Sequence, residues 1–368
     1  MSAVCRAWRE VGKELAWEVL PVVYKENDKA ERAVEGAHAV KLMKHLLANP
    51  SLCDYVATVV ILVKHDDFPS RALRSLAQLL AALPHAQLLH IEAPAKVVDA
   101  LLHSPSALSN LSSLRALTLQ PVGSKPYPNP LRLLAFLTQL TSLEQLDLAL
   151  HLPARFERAL LKFLPPLPVR EAVIELLNAP SPGGTASQGR FLLDLLSLLA
   201  PSTLTSLTLS LPFLTSPLLS TLSTFTSLSS LTLSAPRPSY PRFLPTLTYS
   251  VLPRLPNLLS LSLLHRPPAP GALELAPTLC SSRRDALLRA LPLSVQQLEA
   301  DLVFVDALGS AEMDRVEREL KAREPMRRVR YGVVHPLKGE VGRVIWERAG
   351  EEGDGQWVCL LERNEVVA

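Results

Sequence analysis

Two stretches of the chain, Ser202–Leu211 (STLTSLTLSL) and Thr226–Ala235 (TSLSSLTLSA), share one frame, Leu-x-x-Leu-x-Leu. Its leucines are Leu204, Leu207 and Leu209 in the first, and Leu228, Leu231 and Leu233 in the second. The last two leucines of each frame alternate with polar residues, which is the period of a strand with one apolar face. Such a strand is not stable alone, because its apolar face needs covering. Copies stacked side by side cover one another, and that requirement constrains the fold more than any other feature.

The frame recurs with first positions at Val56, Ala86, Leu114, Leu143, Val169, Leu204, Leu228, Leu258, Val295 and Met326. The intervals run from 24 to 37 residues. Leucine-rich repeats span ~20–29 residues, so these resemble long, irregular members. Helical stripes fall between the frames, at Pro69–Leu83, Ala95–His103, Leu131–Leu140, Ala154–Leu164, Arg190–Leu199, Pro217–Phe225, Arg283–Leu291 and Ala311–Arg323. Strand, helix, strand at this spacing implies parallel strands joined by right-handed crossovers. The expectation is an α/β leucine-rich-repeat solenoid. Its curved parallel sheet would lie on the concave side and its helices on the convex side, with a helical cap at the N-terminus and a β-hairpin cap at the C-terminus. The clean repeats read LTLQPV, LTLSLP and LTLSAP after Leu117, Leu207 and Leu231, with no Asn ladder. Turns fixed by proline rather than by side-chain hydrogen bonds are expected.

A chain of 368 residues exceeds one ordinary globular core, whereas a stacked array grows lengthwise. Hydrophobic content is 48% and aromatic content 5%, so the core is leucine-built. The net charge of +3 does not argue for nucleic acid. Leu195–Pro236 lacks charge, yet Ser, Thr, Pro201, Pro212 and Pro217 interrupt it, so no membrane segment is expected. Cys5, Cys53, Cys280 and Cys359 form no C-x-x-C pair and no secretory signal follows Met1. Reduced thiols in the cytosol or nucleus are expected. Ala179–Gly189, Pro236–Tyr240 and Arg266–Gly271 read as loops inserted between repeats. Val341–Glu347 and Gln356–Arg363 alternate, as a hairpin does.

No phosphate loop, metalloprotease helix, EF-hand or nucleophile elbow is present, so no catalytic residue, metal site or cofactor is expected. His65-Asp66-Asp67 reads as a solvated turn, and His85 and His90 flank the second frame. The residues preceding the last two leucines of each frame face away from the core. They give a candidate surface of Thr118, Gln145, Asp147, Ser206, Thr208, Ser230, Thr232, Ser260, Ser262, Glu299, Arg328 and Arg330, short hydroxyls with arginines at one end.

At the N-terminus, Val4-Cys5-Arg6-Ala7-Trp8-Arg9 with Val11 and Leu15 on one helical stripe, then Trp17, resembles the C-terminal half of an F-box. Asn49-Pro50, Leu52 and Val56 follow as in fungal-type F-box proteins with leucine-rich repeats. The Leu-Pro opening of the motif is not in the sequence, so the box is expected to be N-terminally truncated. The resemblance implies a substrate-receptor subunit of a Skp–cullin–F-box ubiquitin ligase. Val4, Cys5, Trp8, Val11, Leu15 and Trp17 would meet a Skp-type adaptor, and through it a cullin, if the box is completed upstream. The repeat surface would hold an unknown protein target. It also implies a division into residues 1–24 (partial F-box), 25–55 (helical linker), 56–334 (repeats) and 335–368 (hairpin cap). The alternative is a leucine-rich scaffold with no ubiquitin role. Binding to RNA or another acidic partner through Lys321, Arg323, Arg327, Arg328 and Arg330 is a third reading, which predicts strong salt dependence.

Overall fold

Each frame becomes a strand that begins two residues after its first position, from Thr58 after Val56 to Arg328 after Met326. The structure, a computed structural model, describes residues 17–24, 29–64, 68–103, 111–126, 129–153, 166–178, 185–236, 239–266, 279–305, 310–323, 325–334, 341–348 and 357–363. The chain divides into two compact units, Met1–Ala200 and Pro201–Ala368.

The first unit holds six strands: β1 (Val19–Tyr24), β2 (Thr58–Val63), β3 (Leu88–Pro94), β4 (Ala116–Val122), β5 (Gln145–Leu150) and β6 (Glu171–Leu176). They pair in sequence order and all parallel. Register aligns Leu20, Val59, Leu89, Leu117, Leu146 and Ala172 in one inward row. Val22, Ile61, Ile91, Leu119, Leu148 and Ile174 form the next. Every one of these residues is buried. The helices α1 (Lys29–Ala48), α2 (Pro50–Cys53), α3 (Ser70–Ala81), α4 (Ala95–Leu102), α5 (Pro130–Leu137) and α6 (Thr185–Leu198) are interspersed between the strands. On α3, Ala72, Leu76, Leu79 and Leu80 make the buried stripe that period 3.6 requires. At α5, Pro130 occupies the first turn and the Asn129 side chain accepts from the Leu131 N–H at 3.2 Å.

The second unit holds β7 (Ser206–Ser210), β8 (Ser230–Ala235), β9 (Ser260–His265), the short β10 (Leu279–Cys280), β11 (Gln297–Val305), β12 (Arg328–Val334), β13 (Val341–Arg348) and β14 (Trp357–Arg363). Strands β7, β8, β9, β11 and β12 pair parallel in that order, and β10 adds parallel to the end of β11. The direction then reverses, because β12–β13 and β13–β14 are antiparallel. Leu207, Leu231, Leu261, Leu298, Val329 and Trp346 share an inward row and are buried. The helices are α7 (Ser216–Leu222), α8 (Tyr240–Thr246), α9 (Ser281–Ala290) and α10 (Ser310–Lys321). Pro245 lies inside α8, and the next turn, Leu247–Val251, widens to π geometry.

The expected curved leucine-rich-repeat solenoid is therefore corrected. The molecule has two units and a mixed parallel and antiparallel sheet with interspersed helices. The registers that define the pairing do not establish a curved or closed array. The helices between frames are also uneven, from the seven residues of α7 to the fourteen of α6. The expectation of turns without side-chain bonds is corrected as well. At strand exits Asn178 donates to the Leu152 carbonyl at 2.7 Å and accepts from its N–H at 3.0 Å, and Arg266 Nη1 donates to the Ser210 carbonyl at 3.0 Å. At strand entries Ser113 donates to the carbonyls of Pro84 and Ala86 at 3.0 and 3.1 Å, Ser229 to Thr205 at 2.9 Å, Ser294 to Leu258 at 2.7 Å and Asn257 to Thr226 at 2.9 Å.

Candidate functional site

The outward positions of the second unit form two rows. Ser206, Ser230, Ser260, Gln297 and Arg328 are register partners in the first; Thr208, Thr232, Ser262, Glu299 and Arg330 are partners in the second. The antiparallel strands extend the rows with Glu347 and Val358, and with Ile345 and Leu360. The hydroxyl residues are only half-buried, while the leucines between them are buried. This side of the strands is therefore the one that meets solvent.

Where β9, β11 and β12 meet, the side chains of Ser260, Ser262, Gln297, Leu298, Glu299, Arg328 and Arg330 line a small cleft open to solvent. Arg330 Nη1 donates to Glu299 Oε1 at 2.9 Å, and Arg328 Nε pairs with Glu347 Oε1 at 3.1 Å. Arg343 stands 4.0 Å from Asp301 one row further on. Arg330 Nε is buried and has no hydrogen-bond partner among the described residues. A buried donor left unbonded is costly, so the cleft offers an unmet demand for an acceptor.

The remaining predicted surface residues, Thr118, Gln145 and Asp147, lie in the first unit on β4 and β5. Thr118 and Asp147 are register partners with His90 and Val173; Gln145 lies in the row of Leu88, Ala116 and Glu171, and its amide donates to Glu171 at 3.2 Å. Burial holds the Asp147 carboxyl above its usual range. His90 opposes that shift, Glu175 adds to it, and a Gln120 hydrogen bond opposes it. The structure thus gathers Ser260, Ser262, Glu299, Arg328 and Arg330 at one cleft. Ser206, Thr208, Ser230 and Thr232 lie in adjoining rows, and Thr118, Gln145 and Asp147 lie on β4 and β5 of the first unit. His65, Asp66 and Asp67 lie outside the described residues. Among the described residues no group of three or more His, Cys, Asp or Glu side chains could hold a metal ion, and no helix is long and apolar enough to cross a membrane.

Of the residues expected to meet an adaptor, Val4, Cys5, Trp8, Val11 and Leu15 lie outside the described residues. Trp17 is described: its ring stacks on His45 with centroids 6.1 Å apart, and β1 begins two residues later. Val19 and Leu20 start a strand paired with Thr58 and Val59 of β2.

No family model matches the chain, and no curated protein matches it. Among solved structures, a protein of Bacteroides fragilis is similar over 89% of this chain and 83% of its own, at 13% identity and a TM-score of 0.38. The TLR13–ssRNA13 complex is similar over 80% of this chain and 34% of its own, at 14% identity and a TM-score of 0.36. Likeness at this level does not assign a family. The reading of the chain as a fungal-type F-box protein with leucine-rich repeats is corrected by these findings. With it go the role as a ubiquitin-ligase substrate receptor, the leucine-rich scaffold offered as its alternative, and the Skp-type adaptor and cullin as partners. A short N-terminal pattern of common residue types does not carry a family, and Trp17 packs on His45 instead.

Sequence reasoning found Glu299, which holds Arg330, but missed Glu347, the acid that holds Arg328. Glu347 could have been found, because it lies in an alternating segment whose outward positions include Arg343 and Ile345. Its place opposite Arg328 depends on strand direction, which alternation does not reveal. The buried pair of Arg284 and Asp285, 2.9 Å apart under Tyr331, gave no signal beyond two charges inside a helical stripe.

Proposed function

We propose that this chain acts by binding, without a catalytic step, and that the solvent-facing side of the second unit's sheet is its contact surface for a polypeptide partner. The observation that carries this reading is the pair of hydroxyl rows running into the cleft at Arg328 and Arg330. Small side chains leave the backbone approachable, and the cleft at the end of the rows supplies charged hydrogen-bonding groups that give orientation. The polar groups of the cleft are tied in cross-strand ion pairs rather than set as a nucleophile against a base, which favours recognition over chemistry. Cys53, Cys280 and Cys359 are free thiols on separate elements, which supports a reducing compartment, cytosol or nucleus.

The test places bulk and charge in the rows. Thr232→Arg and Ser262→Arg fill them without touching the buried leucines. Partners captured by the wild-type full chain should be lost to both variants. They should be retained by Tyr249→Ala and Leu293→Ala, which remove exposed apolar side chains away from the rows. Retention by the row variants and loss by the other two would move the contact surface elsewhere.

A further inference from the structure

The cleft at β9, β11 and β12 has a donor excess. Its lining carries two guanidinium groups against the single carboxylate of Glu299, together with the hydroxyls of Ser260 and Ser262 and the amide of Gln297. Glu299 meets Arg330 end-on through Nη1, and the side-on edge of that guanidinium carries the buried Nε–H with no acceptor among the described residues. Arg328 spends its Nε on Glu347 and is half-exposed at 53%, so the rest of its fork faces solvent. A planar guanidinium presents donors in pairs that match the two oxygens of a carboxylate.

We infer that this cleft recognises a carboxylate side chain, Asp or Glu, in an extended polypeptide that crosses the hydroxyl rows. The inference rests on the binding surface proposed above and names what that surface selects. Polypeptide is favoured over a free anion because the cleft is continuous with the rows. Four strand spacings of about 4.8 Å separate β7 from β12, or roughly 19 Å, the length of about six extended residues at ~3.3 Å each. Along that path Ser260, Ser230 and Ser206 with Ser262, Thr232 and Thr208 offer short hydroxyls that can bond a passing backbone. The acidic side chain anchors one end between Arg328 and Arg330. Its carboxylate takes the outward edge of Arg328, and a turn of the Arg330 guanidinium brings its buried, unmet Nε–H to the second oxygen. Ser262, at the register position before Glu299, lies beside the first of these contacts.

The experiment is a seven-residue peptide array read with the full chain, in which each position is fixed in turn as Asp, Glu, Asn, Gln, Lys or phosphoserine. The wild type is expected to select Asp or Glu at one position over the matching amide by about tenfold, the value of one charge-assisted hydrogen bond. Arg328→Ala and Arg330→Gln are each expected to remove that preference while leaving the melting temperature close to wild type. Glu299→Gln, which withdraws the competing acid, is expected to strengthen it. A merely structural arginine would not give this opposite response. Peptides retained without charge preference would overturn the carboxylate assignment and leave the binding surface standing; no retention of any peptide would overturn both. Phosphoserine favoured far beyond Glu would replace the carboxylate by a phosphate. Between β13 and β14 the sequence carries Glu351, Glu352 and Asp354. An acidic preference seen only after these three are neutralised would assign the cleft to the chain's own acids and overturn an external partner.

Discussion

Replacing Asp285 by Ala should destabilise the second unit more than an ordinary surface change, because it takes a carboxylate away from a buried guanidinium. Arg284 and Asp285 are 2% and 3% exposed. Arg284 Nε and Nη2 donate to Asp285 Oδ1 at 3.2 and 2.9 Å, and Arg315 pairs with the other carboxylate oxygen. Removing one partner of a buried pair costs about 3–5 kcal/mol, since the remaining charge stays desolvated. The Arg284 guanidinium also stands 5.7 Å over the Tyr331 ring, an interaction of up to ~2 kcal/mol that survives the substitution. We therefore expect a loss of about 3 kcal/mol, the lower end of that range. With a urea m-value of about 2 kcal/mol/M, the midpoint falls by about 1.5 M. Trp346 and Trp357 are buried reporters of this unit, and the Trp346 indole N–H donates to the Tyr331 hydroxyl at 3.3 Å, so fluorescence follows the right transition. Arg284→Met combined with Asp285→Leu removes both charges at similar volume and should cost less than Asp285→Ala alone. The reasoning fails if the single change moves the midpoint by less than about 0.3 M. It fails equally if the double variant is as unstable as the single.

Asp147→Asn should raise the unfolding temperature at pH 7. Burial raises the folded-state pKa of Asp147, so its ionised form costs stability above that pKa, and the cost disappears below the unfolded value of about 3.9. The two proteins should converge near pH 3, and a lower melting temperature for the variant at pH 7 would show that the carboxylate's partners outweigh its desolvation. Among the three described cysteines, iodoacetamide should modify Cys280 first in the folded chain. The Ser282 hydroxyl, 3.1 Å away, and the Arg283 backbone N–H and charge lower its thiol pKa, whereas burial raises those of Cys53 and Cys359. Mass mapping that finds Cys359 modified at the same rate would contradict this, and Ser282→Ala should slow Cys280.

Strand positions were legible because the frame states which residues face in. Leu117, Leu146, Leu207, Leu231 and Leu261 could be assigned to buried rows before any coordinates, and even the degenerate frames at Val169 and Met326 start strands where the spacing puts them. The strand at Val19–Tyr24 was not legible as part of the sheet. It lacks the frame and contains Pro21, which can give no ladder N–H. Its position explains the exception: β1 pairs with β2 alone among the described strands, and an edge tolerates proline. Parallel pairing of the framed strands was legible from the helices between them, but curvature and the reversal between β12 and β13 were not, since period two is the same in parallel and antiparallel sheets. Most of the candidate site was visible for the same reason. Ser260, Ser262, Glu299, Arg328 and Arg330 follow from frame positions, but Glu347 enters only through the reversal at β13.

That reversal decides the electrostatics of the cleft. Antiparallel pairing sets Glu347 opposite Arg328, Ile345 opposite Arg330 and Arg343 opposite Gly332. A parallel β13 starting on the same row as β12 would bring Arg343 against Arg330, and like charges directly across strands are destabilising. It would also carry Glu347 three rows away from the arginine it now holds. In the observed direction Arg328 gains an acid, Arg343 comes within reach of Asp301, and the buried Ile345 closes the wall beside Arg330. The array of near-identical hydroxyl rows thus ends in a distinct, charged boundary only because the chain turns back on itself there. The cleft exists at that boundary because the rows before it are small and the strand after it brings the acid from the opposite direction.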